Sequence, residues 1–195
     1  MNNTKTIAIR PFEPEMAPAS GGTPALPLAL LMRQLARVIE DLSDAQYAQK
    51  PVGVIESSIG AHVRHCLDHV LALLRAVETG ALNYDERNRG TAIETSRLAA
   101  LRLIDEVEQQ LERITLEDLD QPVLLWVTLA AGQEAVRVSS SVGRELAYVV
   151  SHTIHHNALV GAMVRTLGGT LPERFGYAPT TVAYMESRIR CARSV

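Results

Sequence analysis

The chain has 195 residues, 47% of them hydrophobic, which is enough for one domain with a core that needs neither disulfides nor a structural metal. Lysine and arginine number 19 against 22 aspartates and glutamates, so the net charge of -3 leaves no basic excess to attract a nucleic-acid backbone, and nucleic acid is excluded as an expected partner. Two isolated cysteines, Cys66 and Cys191, show neither a disulfide framework nor metal-ligand spacing. No secretory apolar run follows the first residues, and no stretch reaches the roughly 18–20 apolar residues that cross a bilayer. We therefore expect a soluble cytoplasmic protein with no membrane partner.

Residues 1–27 carry Pro11, Pro14, Pro18, Gly21, Gly22, Pro24 and Pro27 and are expected to form an extended lead-in to a single helical domain over 28–195. From Leu28 to Gln49 the apolar positions Leu28, Leu31, Leu35, Val38, Ile39 and Leu42 recur every three or four residues, which predicts a first helix stopped before Pro51. A second helix is expected from Ser57 or Ser58, whose hydroxyls can cap it, through Leu67, Val70, Leu71 and Leu74 to Gly80. After the turn-rich stretch from Asn83 to Gly90, a third helix is expected over about Thr91 to Ile114, with Leu98, Leu101, Ile104, Val107 and Leu111 facing inward.

Between Pro122 and Ser139 the period changes. Leu125, Val127 and Leu129, then Val136 and Val138, alternate around Ala130 to Glu134 and predict a short β-hairpin. Ser140 or Ser141 can cap a fourth helix that runs to Leu167 and ends at Gly168-Gly169. A last short helical stretch with Val182, Met185 and Ile189 is expected to pack across the bundle end. Four long helices imply an all-α four-helix bundle, with the hairpin placed before the last long helix. The second and fourth helices share a faint echo, Ser58-Ile59-Gly60 and Ser141-Val142-Gly143, too short to establish a repeat.

All six histidines fall in two windows: His62, His65 and His69 on the second helix, and His152, His155 and His156 on the fourth. At about 100° per residue, the first three share a sector of roughly 60°, while His152 and His156 stack one turn apart and His155 projects about 100° from His156. Two imidazoles at a four-residue spacing can bind one ion, and a third from a facing helix completes a facial set with open positions for water or substrate. A lone histidine is more often a satisfied core or surface residue; two clusters on two amphipathic helices favour metal.

The segment Ser58-Ile59-Gly60-Ala61-His62-Val63-Arg64-His65-Cys66-Leu67-Asp68-His69 resembles the second-helix motif of DinB-like proteins, and His152-Thr153-Ile154-His155-His156 resembles their fourth-helix motif. The resemblance covers roughly Leu28 to Gly168 by order of helices. It implies a four-helix bundle with a divalent ion held by His65, His152 and His156. His62 and His69 flank His65 one turn away on each side and could replace or assist it, or line the cavity. His155 is expected as a helix-packing residue or one that supports a ligand, and Cys66, turned about 100° from His65, as a buried small residue. Glu145 and Tyr148 share the ligand-bearing face of the fourth helix and are candidate acid, base or supporting groups; for Glu145 an ordinary first-turn carboxylate is an equal alternative, and for Tyr148 a core residue.

The resemblance further implies a metal-dependent hydrolase or a transferase of low-molecular-weight thiols acting on a small-molecule substrate. A non-catalytic protein with a structural ion is the alternative. Zinc or nickel heads the expected metals, with iron or manganese behind them. Amphipathic helices with long apolar faces also lead us to expect a homodimer.

Overall fold

A computed structural model describes residues 22–53, 55–86 and 90–193. Of the lead-in, residues 1–21 lie outside the described residues. Helix α1 spans Leu26–Glu40 and α2 spans Asp44–Ala48; α3 is Ile59–Thr79, α4 Arg97–Leu111, α5 Val142–Thr166 and α6 Pro179–Arg193. A three-stranded sheet joins β1 (Ala81–Asn83), β2 (Pro122–Val127) and β3 (Val136–Ser141) in that order. Helix α1 packs on α4 and α5, and α3 packs on α4 and α5, so four long helices close round one core.

The first expected helix is broken. Ser43 accepts a hydrogen bond from Gln46 N while Gln46 Oε1 accepts one from Ser43 N, a reciprocal cap that starts α2 afresh after Leu42. The third expected helix also starts late. Ser96 caps α4, and Ala92–Glu94 forms a separate 3-10 turn before it. On α4 the buried stripe is Ala100, Ile104, Val107 and Leu111, and Leu98, about 160° round from Ala100, is exposed rather than inward.

The hairpin forms between Pro122 and Ser141, with Leu125 opposite Val138 and Val127 opposite Val136. Leu129 falls outside it, exposed in the connecting loop. Strand β1 was not expected. It follows α3 directly after Gly80, whose φ of 68° ends the helix, and it pairs in parallel with β2, Leu82 opposite Leu125. Three residues are too few to show alternation, so only the tertiary pairing reveals the strand. Helix α6 is largely exposed. Val182 is half-buried against the bundle and Met185 faces solvent; the side chain of Ile189 lies outside the described residues.

The echo between the second and fourth helices has a physical basis. Ser58 and Ser141 are N-caps, accepting from Ala61 N and Arg144 N. The glycines two residues later sit where another segment crosses the helix. A Cβ on Gly60 would lie 2.1 Å from Glu94 O, and one on Gly143 would lie 3.1 Å from Leu119 O. Both motifs cap a helix and admit a close crossing. Around Gly60 the 3-10 turn is further tied to α3 by Arg64, whose Nε lies 3.0 Å from Glu94, and to α2 by Tyr47, whose buried hydroxyl donates to Ile93 O at 2.7 Å.

Candidate metal centre

Helices α3 and α5 face each other, and their histidine-bearing faces meet. His65 and His152 bring Nε2 to Nε2 at 3.1 Å. Two imidazole nitrogens bound about 2.0–2.1 Å from one tetrahedral zinc ion stand about 3.3–3.4 Å apart, so this separation is close to that of two ligands of one metal. A ring nitrogen from each of His65, His69 and His152 lies within 4.8 Å of the other two, a cluster that can hold a metal ion.

The protonation of His69 is fixed locally. Its Nδ1 lies 3.0 Å from the carbonyl oxygen of His65, one turn earlier, and a carbonyl only accepts. Nδ1 therefore carries the proton and Nε2 keeps the lone pair a metal needs.

His156 stands beside this group without being one of its three members, its ring 4.6 Å from that of His65 and 4.5 Å from that of His152. Its Nδ1 is 2.9 Å from Nδ1 of His62, so one of this buried pair donates to the other. Burial, followed by the neighbouring imidazoles beginning with His152, pushes His156 down to about 3; burial, then His155, also lowers His62. Both rings are thus neutral near pH 7, the state that coordinates metal. Nε2 of His62 is buried without a hydrogen-bond partner. His155, expected to pack or to support a ligand, is instead exposed, with its ring 5.4 Å from that of His156.

The three-nitrogen group thus holds two residues of the set implied by the resemblance, His65 and His152, together with the flanking His69, while His156 and His62 adjoin it as a pair. The donor set suits a divalent transition metal: imidazole nitrogens on two facing helices, with His65 and His152 half-buried and His62, His69 and His156 buried. Cys66 is fully buried in the core and its thiol is pushed up to about 12 by burial, so it is a packing residue there, not a thiolate.

The two further candidates occupy different positions. Tyr148 lies beside His152, ring centroids 5.6 Å apart, with the Arg144 guanidinium 5.4 Å from its own centroid. Glu145 is completely buried, and both of its oxygens are engaged: Oε2 accepts from Tyr84 OH at 3.0 Å, and Oε1 accepts from Ser140 Oγ at 2.5 Å and from Arg144 at 3.0 Å. A cavity of about 450 Å³, with Leu125, Val138 and Arg144 in its walls, also reaches Glu145.

Sequence reasoning missed Tyr84. It lies one residue beyond β1, with its ring stacked on His69 at 4.8 Å and an interplanar angle of 11°. Burial, and after it the charge of Glu145, holds its hydroxyl far above the usual tyrosine range, so it stays protonated and donates. A tyrosine in a turn-rich stretch carries no periodic signal that could have pointed to it.

No described helix is long and apolar enough to cross a membrane. The chain is 36% identical over 108 residues, 55% of its length, to FK506-binding protein 5 of the fungus Rhizopus delemar; the shared region spans only 28% of that protein. In fold it is similar to the crystal structure of a DinB-like protein, YjoA, from Bacillus subtilis, with a TM-score of 0.57 and 20% identity, covering 77% of this chain and 96% of that one. Residues 28–160, from the start of the core stripe of α1 well into α5, match the DinB superfamily, and the chain belongs to that superfamily.

Proposed function

We propose that this protein binds one divalent transition-metal ion between α3 and α5 and uses it in a hydrolytic or thiol-transfer reaction on a small molecule. The observation that carries the reading is the meeting of His65, His69 and His152, each with a ring nitrogen within 4.8 Å of the others. His65 and His152 belong both to this group and to the set implied by the family resemblance, so they are the ligands on which every version depends. His156 is the third ligand by family, and His69, whose Nδ1 is engaged by the His65 carbonyl, would present Nε2 beside them.

An ion held by neutral imidazoles would keep its full charge and lower the pKa of a bound water or thiol toward neutrality. The chain's own groups frame that chemistry. The half-buried His65 and His152 leave the centre approachable, and the Tyr148 ring lies next to His152 as a candidate acid or base.

The number of imidazoles favours a second reading. Were His69 and His156 both to join His65 and His152, four protein ligands would close the coordination sphere, as in a structural site. Loading the metal-free protein with cobalt(II) and adding a small thiol separates the two. A thiol-dependent change in the cobalt absorption spectrum marks an open position, and an unchanged tetrahedral spectrum marks a closed one. The proposal extends to a cytoplasmic homodimer; a monomer mass by light scattering across a wide concentration range would remove the dimer.

A further inference from the structure

Resting on the metal reading, we propose that Tyr84 is a positioning residue of the centre: clamped by the buried Glu145, its ring holds His69 in the orientation that brings Nε2 to His65 and His152. The contacts form a continuous chain. Ser140, near the end of β3, and Arg144 hold Oε1 of Glu145 on α5; Oε2 of Glu145 receives the hydroxyl of Tyr84, just past β1; and the Tyr84 ring lies nearly parallel to His69 on α3.

Each link restricts one freedom. An imidazole on a helix turns about two side-chain bonds, and the Nδ1 bond to His65 O sets the tautomer and restricts the ring's rotation. The stacked tyrosine blocks one face of the ring, while the ring of His152 covers another side at 4.0 Å. Tyr84 can perform this task only if its own ring is fixed, and a loop tyrosine needs an anchor for that. Glu145 supplies one, at the cost of burying a carboxylate that three donors then stabilise.

The arrangement gives the small sheet a role in the centre. Strand β1 delivers Tyr84 and β3 delivers Ser140, and both strands pair with β2, so the sheet fixes the spacing between the two ends of the clamp. It also gives Glu145 a different task from proton transfer, since both of its oxygens are occupied by donors.

The test is a double-mutant cycle on cobalt(II) binding by the full chain, with affinity read by competition with a chelating indicator and geometry read from the visible absorption of the bound ion. Tyr84→Leu should weaken cobalt binding about 10- to 100-fold, the usual effect of removing a group that orients a ligand, and should alter the spectrum. Tyr84→Phe, which keeps the stacked ring and loses only the bond to Glu145, should give a smaller loss. In a His69→Ala background neither substitution should weaken binding further, because the residue being positioned is gone. Tyr84→Leu with wild-type affinity, or with the same loss in both backgrounds, would overturn the proposal. Should Tyr84→Leu lose its helical circular dichroism, Tyr84→Phe in the two backgrounds decides alone. A wild-type chain that takes up no cobalt overturns the metal reading and this one together, whereas a chain that binds cobalt with additive variants overturns only the positioning role.

Discussion

The seam between α1 and α4 and the seam between α3 and α5 use the same helical geometry for different ends. The first is apolar: Leu28, Met32, Leu35 and Ile39 on α1 and Ala100, Ile104, Val107 and Leu111 on α4 are all buried, and ion pairs such as Arg33 with Glu108 stand at its rim. The second buries His62, His69, His156 and Glu145 among its apolar residues. Apolar burial contributes about 1.5–3 kcal/mol per large side chain, whereas buried polar groups cost free energy unless hydrogen-bonded. One seam therefore supplies stability and the other carries the proposed metal centre at the expense of some of it. A fold built this way should not depend on an ion bound there.

That separation can be broken from either side. Truncation in the apolar seam should have the largest effect on stability: Ile104→Ala should lower the unfolding free energy by about 2–5 kcal/mol in urea titrations while leaving the metal affinity of the folded protein unchanged. A variant that lost metal in proportion to stability would show the seams to be coupled. On the other side, His152→Ala should reduce metal affinity on the order of 100-fold, about 2.7 kcal/mol, with helical circular dichroism retained. His155→Ala should leave metal content unaltered, since that ring is exposed. A chelator titration that removed helicity along with the ion would make the ion structural.

Acid should sharpen the contrast more gently. In the metal-free protein the folded-state pKa values of His156 and His62 lie below the ordinary 6.5, so between the folded and unfolded values the unfolded chain binds more protons. The resulting stability is complete above about pH 6.5 and declines as pH falls toward about 3, the folded value of His156. Urea midpoints at pH 8 and pH 5 should differ in that direction, and His156→Leu should flatten the difference; an unchanged slope would mean these rings do not govern it. The smallest effect belongs to the rim of the apolar seam, where Arg33→Ala removes a half-exposed partner of Glu108 and should not shift the urea midpoint measurably.

The sequence by itself determined what depends on near neighbours along the chain. Apolar spacing marked the four long helices, alternation marked β2 and β3, and the angular positions of the histidines turned His155 away from His152 and His156, because a helix or strand repeats its geometry every few residues. Local capping also wrote the break at Ser43 into the sequence, although a continuous stripe through Leu42 masked it. Only the tertiary structure decided the rest: the pairing of β1 with β2, the crossing that requires Gly60, the meeting of His65 with His152, and the contact of Tyr84 with His69 and Glu145. These contacts join residues up to 87 positions apart, and no periodic pattern in either partner encodes them. Side-chain identity sets which bonds are chemically available, whereas the packing of helices and strands sets which of those groups come within reach.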